Sequence, residues 1–264
     1  MAVIFNLIFI QPILNILIAI YQLLLFLHVP YALGFAIIGL TVLVRLIIHP
    51  SMQKGLQQQK KMQELAPHIA KIKETHKGDM AKQNAAQAEL FKEHGVNPLS
   101  GCLPLLVQLP LVIGLFQTLS FIAHSNSLAK INSQVYFAQF KLLKIWNTDF
   151  FGIPLEKSPH QLVSKMGIAI LLIVLISALL QFVQAKMVAP PKPEIVENSP
   201  KKNDMSSAMQ SQMLLFLPII IGYSSYSLPI GVSLYWNTFS IFAIIQQYRT
   251  TGWGGIVQVF SRNK

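Results

Sequence analysis

Long apolar stretches alternate with short segments that hold almost all the charge of this chain. No Asp, Glu, Lys or Arg precedes Arg45, and none falls between Asp204 and Arg249. A helix needs about 20 apolar residues to cross hydrocarbon, and runs this long without charge are what a bilayer selects for. The pattern predicts an all-α integral membrane protein with five transmembrane helices, an N-terminal interfacial amphipathic helix (1–30) and a cytoplasmic helical hairpin (51–97). The spans are expected at 31–50, 98–123, 163–186, 209–228 and 229–248. An extracytoplasmic loop (124–162), a cytoplasmic connector (187–208) and a cytoplasmic tail (249–264) join and follow them.

Gln11, Asn15 and Gln22 share one helix face, so 12–27 reads as a helix lying in the membrane interface. The stretch is also long enough to be a span, and a signal peptide is a third reading, against which stand the missing basic start and small-x-small cleavage site. The first span is expected to stop at Pro50. The segment beyond it carries eight Lys and five acids in a helix-favouring background, folded back at Lys77-Gly78-Asp79. Met62, Leu65, Ile69 and Ile72 give its first arm an apolar stripe. Span two contains Pro104 and Pro110, and Trp146, Phe150 and Phe151 in the following loop are candidate interface anchors. Span three is expected over 163–185. The Pro- and Lys-bearing connector has a flexible composition. Leu228-Pro229 is the tight turn between spans four and five. Span four, counted as about 16 residues from Gln212 to Ser227, is short enough to imply a locally thinned bilayer.

Composition supports the class: 53% of the 264 residues are hydrophobic and 12% charged, against about 25% charged in soluble domains. The net charge of +11 informs on topology before it suggests nucleic acid. Placing the hairpin, the connector counted from Lys186 and the tail on one side collects 15 basic residues there, and the other side holds five. The positive-inside rule then puts the N-terminus outside and the C-terminus in the cytoplasm. The single cysteine, Cys102, excludes an intrachain disulfide, and the seven His lack metal-ligand spacing. No catalytic constellation, metal or cofactor is expected.

Arg45 is the only Asp, Glu, Lys or Arg well inside a span. Thr41, Arg45 and His49 form one stripe; Ser177, Gln181 and Gln184 form a second; Ser233, Asn237 and Ser240 form a third, and span two adds Gln108. Stripes on several helices in the same half suggest a hydrophilic cavity open to the cytoplasm. Two plainer readings stand beside this one. Arg45 lies about 8 Å from the helix end at Pro50 and could snorkel to the headgroups. The Ser, Thr, Asn and Gln residues could simply join helices.

The order of interfacial helix, span with one Arg, basic helical hairpin and four further spans resembles the YidC/Oxa/Alb family of membrane protein insertases. Asn97-Pro98-Leu99-Ser100-Gly101-Cys102-Leu103-Pro104, with Gln108 and Pro110, is the most specific stretch. Thr41 to Arg45 with Pro50, and Pro229, Gly231, Tyr235, Trp236 and Gln246-Gln247, match the family's first and last core spans. The resemblance implies a non-enzymatic insertase and chaperone with a groove centred on Arg45, in which acidic residues of a client's tail are attracted. Thr41, Tyr235 and Trp236 match client-facing positions; Gln108, Gln181 and Asn237 join them from the polar stripes. Client membrane proteins and lipids are the implied partners. The ribosome and the Sec translocon would dock on the hairpin and connector, with no specific nucleic acid beyond ribosomal RNA. The implied location is the bacterial plasma (inner) membrane. The sequence looks like a short form: a large periplasmic domain, a lipoprotein signal and a long basic tail are not expected. A small-anion transporter or channel using Arg45, and a structural partner of the Sec translocon, are the competing classes.

Overall fold

The computed structural model describes residues 2–97, 103–124, 127–188, 205–253 and 256. The side chains at 2–3, 103–108, 122–124, 188 and 205–215 fall outside the description. The 98–102 part of the family motif, most of the connector and the end of the tail therefore lie outside the described residues, as do the side chains of Pro104 and Gln108. The protein is nearly all α-helical. Helix α1 (Ala2–Phe5), a π-helical turn (Asn6–Ile10) and α2 (Gln11–Phe26) follow one another directly. Then come α3 (Ala32–Glu64), α4 (Ala66–Thr75), α5 (Met80–Glu93), α6 (Leu103–His124) and α7 (Leu128–Asn132). A two-stranded antiparallel ribbon pairs β1 (Asp149–Phe150) with β2 (Ile153–Pro154). Helices α8 (Pro159–Met166), α9 (Leu171–Val188), α10 (Met205–Ser227) and α11 (Ile230–Thr251) complete the chain. Among the described residues, Asn6–Phe26, α3 and Ile168–Met187 are long and apolar enough to cross a membrane, and Leu109–Phe121 is a shorter apolar segment.

The chain divides into two compact units, to which α3, α6, α9, α10 and α11 each contribute a part. The first comprises Met1–Ile47, Val107–Gln181 and Leu217–Phe242. Its core is aliphatic, with Leu17, Ile18, Ala36, Ile37, Ile131 and Val232 removed from the surface. Glycines allow close approach, Ile20 lying over Gly39 of α3 and Ile13 over Gly114 of α6. The polar stripe of α2 does not face water. Gln11 Nε2 donates to Gln134 Oε1 (3.0 Å), and Asn15 donates to the Gln134 carbonyl (2.9 Å) and accepts from the Tyr136 amide (2.7 Å). Gln22 Nε2 donates to the Phe140 carbonyl (2.7 Å). The adjacent face of α2 buries Ile13, Leu14, Leu17, Ile18 and Tyr21. The periodicity of the stripe is real, but its partners are the Gln134 side chain and backbone groups about 120 positions away.

The loop aromatics also differ from the expectation of interface anchors. Trp146 is buried and meets Tyr21 edge-on at 5.6 Å, and the Tyr21 hydroxyl accepts from the Asn147 amide. Phe150 sits against Gly34 and edge-on to Phe35 (5.5 Å). Phe151 is the exposed member, its φ of 53° setting the turn of the ribbon beside Gly152 at 82°.

The second unit comprises Ile48–Leu106, Phe182–Phe216 and Ala243–Lys264. Helix α3 does not stop at Pro50. It continues to Glu64, because proline removes one intrahelical bond and the Gln-, Lys- and Met-rich sequence beyond it favours helix. The 76–79 turn follows α4, with Gly78 at φ 93°, and α4 packs on α5, His68 lying 6.5 Å from His94. Within this unit Gln246 Nε2 donates to the His49 carbonyl (3.3 Å).

Three further boundaries move. Span three was expected from 163, but α8 ends at Met166. Gly167, at φ 72°, separates it from a 3-10 turn (Ile168–Ile170) that leads into α9. Helix α10 has 23 residues and passes through Pro218; its polar Met205–Gln212 start lengthens the helix without lengthening its apolar part. Helix α11 extends to Thr251.

Asp79 caps α5, its carboxylate accepting from the Lys82 amide (3.0 Å) and pairing with the Lys82 ammonium (3.3 Å). The amide bond, then the side-chain bond, hold the Asp79 pKa below its ordinary value of 3.8. A carboxylate with a depressed folded pKa stabilises above its unfolded pKa, and that contribution is lost as pH falls through the folded value. Protection of the Lys82 and Gln83 amides, read by hydrogen exchange, is expected to persist at neutral pH and to drop below about pH 4. Asp79→Ala should show the low protection at every pH.

Candidate functional site

Arg45 lies on α3 in the first unit, four residues after Thr41, and is only 4% exposed. It does not snorkel. The guanidinium turns onto α11, where Nη2 donates to the Phe239 carbonyl (3.0 Å) and the guanidinium carbon stands 3.3 Å from the centre of the Phe239 ring. Phe242 lies 5.8 Å away, and Tyr235 stacks one turn before Phe239, ring to ring at 5.9 Å. Among the described residues, the buried Nε–H finds no acceptor and no carboxylate pairs with the charge. A cation over an aromatic face is partly stabilised. One carbonyl and one ring do not replace the shell of water that a guanidinium loses on burial, a cost of several kcal/mol per ion. The site is therefore an under-compensated positive charge held inside the protein.

The other expected residues fall into separate places. The Thr41 hydroxyl is buried and donates to the Ile37 carbonyl of its own helix (2.7 Å). Tyr235 and Trp236 belong to the buried core. Asn237 is part-buried, with its Oδ1 buried and lacking a partner among the described residues. Gln181 is part-buried on α9, and the Gln108 side chain lies outside the described residues.

Hydroxyls join three helices instead. Ser225 of α10 donates to Ser177 of α9 (3.2 Å) and shares a 2.8 Å bond with Ser233 of α11, all three being buried. Ser177 also donates to Ile173 O. Ser177 and Ser233 were legible as members of polar stripes. Ser225, Phe239 and Phe242 were missed: Ser225 sits among Ser224 and Ser227 with no helical period, and a Phe in an apolar span carries no polar signal. In membranes such hydrogen bonds average about 0.6 kcal/mol, so Ser225→Ala should lower unfolding stability by about 0.5–1 kcal/mol. Ser225→Val should cost more, because the fully buried site has no room for the added methyl. Reversible unfolding in mixed micelles measures both.

The family model for the 60Kd inner membrane protein matches residues 24–253. The chain belongs to the YidC/Oxa/Alb family. It is 28% identical over 250 residues to the inner membrane protein ALBINO3 of Arabidopsis thaliana chloroplasts, covering 86% of this chain and 48% of that one. It is 32% identical over 217 residues to the membrane protein insertase YidC of Pelobacter propionicus, covering 81% and 34%. A YidC insertase crystal structure with the first transmembrane domain resolved aligns with a TM-score of 0.53 at 23% identity, covering 87% of this chain and 45% of that one, which shows a shared fold. The chain thus spans about half the length, or less, of these YidC/Oxa/Alb relatives. It is a membrane-inserted protein of the family, and every described part of Arg45's surroundings lies inside the matched region.

Proposed function

We propose that this chain inserts client membrane proteins into the bacterial inner membrane and assists their folding, using Arg45 as the attractive charge for acidic residues in a client's translocated tail. The under-compensated guanidinium is the observation that carries the reading. A carboxylate approaching it supplies a counter-charge and an acceptor for the orphaned Nε–H. At an effective dielectric of about 20, unit charges 4 Å apart attract by about 4 kcal/mol, enough to hold a tail transiently. Insertase activity in relatives of the family supports the same reading. No covalent bond changes, so the chain works as a non-enzymatic chaperone. Thr41, Gln108, Gln181, Tyr235, Trp236 and Asn237 form the lining of the proposed groove with Arg45.

The proposed topology has five spans, α3, α6, α9, α10 and α11, with the N-terminus outside and the C-terminus in the cytoplasm. The contacts of α2 support laying it along the outer interface. A helix that crossed the bilayer could meet an external loop only at its end. From Gln11 to Gln22, a length of about 16 Å at 1.5 Å per residue, α2 is bonded to 134–141 throughout. The 51–97 hairpin and the 187–208 connector are the proposed docking surfaces for the ribosome and the Sec translocon.

Purified protein in proteoliposomes should insert a single-span client with an acidic N-terminal tail at a rate well above empty liposomes. Protease protection of the tail provides the readout. Insertion indistinguishable from empty liposomes, with the protein folded, would remove the proposal. Removing two of the α2–loop bonds with Asn15→Ala should increase proteolysis of the 134–141 segment while leaving Arg45 in place.

A further inference from the structure

A second polar site lies in the first unit, away from Arg45. Two backbone bonds dock the start of α11 onto the loop before α8: the Ile230 amide donates to the Lys157 carbonyl and the Gly231 amide to the Leu155 carbonyl, both at 2.9 Å. These carbonyls satisfy amides that a helix start otherwise leaves free. They also fix the α10–α11 turn, Leu228-Pro229, against the loop. A reciprocal capping box between Ser158 and Gln161 fixes the start of α8.

Between these rigid parts and α6 is a cavity of about 600 Å³, lined by apolar Phe116, Leu162, Leu228 and Pro229 together with Glu156, Lys157 and Lys165. The three charged side chains make no ion pair among the described residues. The lining thus combines one carboxylate with two ammonium groups, a charge pattern complementary to a small zwitterion with a cationic and an anionic end.

The cavity's position identifies which molecule supplies both. Lys165 stands three residues before Ile168–Met187, which is apolar enough to cross a membrane, and Met166 and Ile168 are 40% and 80% exposed. Lys165 is thus at the boundary where water gives way to hydrocarbon, the level of phospholipid headgroups. We infer that the cavity bounded by α6, the 155–158 loop, α8 and the α10–α11 turn binds the headgroup of an ethanolamine phospholipid. Its phosphate lies between Lys157 and Lys165, and its ammonium donates to Glu156. The apolar lining receives the glycerol end, and the exposed apolar residues beyond Lys165 receive the acyl chains. The site is independent of insertion by Arg45.

Native mass spectrometry of the full chain in detergent, offered phosphoethanolamine, phosphocholine and phosphoglycerol lipids with identical acyl chains, tests this assignment. The wild type should retain the phosphoethanolamine lipid about tenfold more strongly than the phosphocholine lipid, whose quaternary nitrogen has no N–H to donate. Lys157→Gln/Lys165→Gln should weaken retention of all three lipids. Both side chains are exposed, so this variant should keep the fold. Glu156→Gln should remove the preference for ethanolamine over choline without weakening phosphoglycerol retention. Equal retention of the three lipids by the wild type, unchanged retention in the double-lysine variant, or a surviving ethanolamine preference in Glu156→Gln would each overturn the assignment.

Discussion

Replacing Arg45 with Ala is expected to reduce insertion of acidic-tailed clients by roughly 10- to 100-fold, the loss that follows when a charged hydrogen bond of about 1.5–3 kcal/mol is removed. The same change should not unfold the protein. Arg45 is buried without an acidic partner among the described residues, and removing such a charge relieves a desolvation cost as well as losing the Phe239 carbonyl bond and the ring contact. Activity and stability should therefore separate: insertion falls while the unfolding midpoint stays or rises. Arg45→Lys keeps the charge but cannot both stack flat on Phe239 and reach its carbonyl with a planar fork. It should retain most of the insertion, with a weaker dependence on client geometry. A snorkelling anchor would behave differently, because Ala there would alter helix depth for every client, acidic or neutral. Comparing clients with acidic and neutral tails in the same liposomes distinguishes the two.

The largest stability effect is expected at Gly34. A Cβ at this position would fall within the ring of Phe150, meeting Cδ2, Cε2 and also Cγ at the root of the side chain. A far ring edge could swing aside, but the root cannot move without shifting the β1–β2 ribbon. Ala is intrinsically the better helix former by about 1 kcal/mol, so a propensity argument predicts that Gly34→Ala stabilises α3. The packing argument predicts the reverse, a net loss of about 1–3 kcal/mol from overpacking, because the displaced ring also leaves its edge contacts with Tyr31 and Phe35. Phe150→Ala should be destabilising alone, yet the double variant should be less destabilised than the sum, since the clash is gone once the ring is removed. Unfolding midpoints of the four proteins measure this coupling. Additive losses would mean that the ring and the glycine do not limit one another.

The fold was legible where one physical rule dominated. The hydrophobic pattern located the apolar helices, because helix length and hydrocarbon thickness leave few alternatives. Pro50 misled because the helix-breaking rule is local, and the helix formers that follow it carry α3 on to Glu64. The α2 stripe of Gln11, Asn15 and Gln22 was found correctly as a face, but a helix period cannot say whether a polar face meets water, headgroups or another segment. Its partners lie in the loop at 134–141. Trp146 illustrates the same gap, since an aromatic residue near a span suits the interface and the core equally until Tyr21 is found beside it.

At the candidate site, Arg45 stood out because a lone charge in an apolar span is costly and therefore rare. What holds it was not legible. Phe239 and Phe242 look like lipid-facing residues in one dimension, and only the fold brings them over a guanidinium on a helix nearly 200 positions earlier. Stripe members were likewise sorted by tertiary contacts: Thr41 bonds its own helix, while Ser177 and Ser233 bond through Ser225.

The most direct test of the central claim is a double-mutant cycle between Arg45 and the client tail. Insertion rates are measured for wild type and Arg45→Ala, each with a client bearing one tail aspartate and with its Asp→Asn counterpart. Direct attraction predicts a coupling of about 1 kcal/mol or more, so that the aspartate speeds insertion only when Arg45 is present. A coupling near zero, with both clients slowed equally by Arg45→Ala, would contradict recognition of the tail by this arginine.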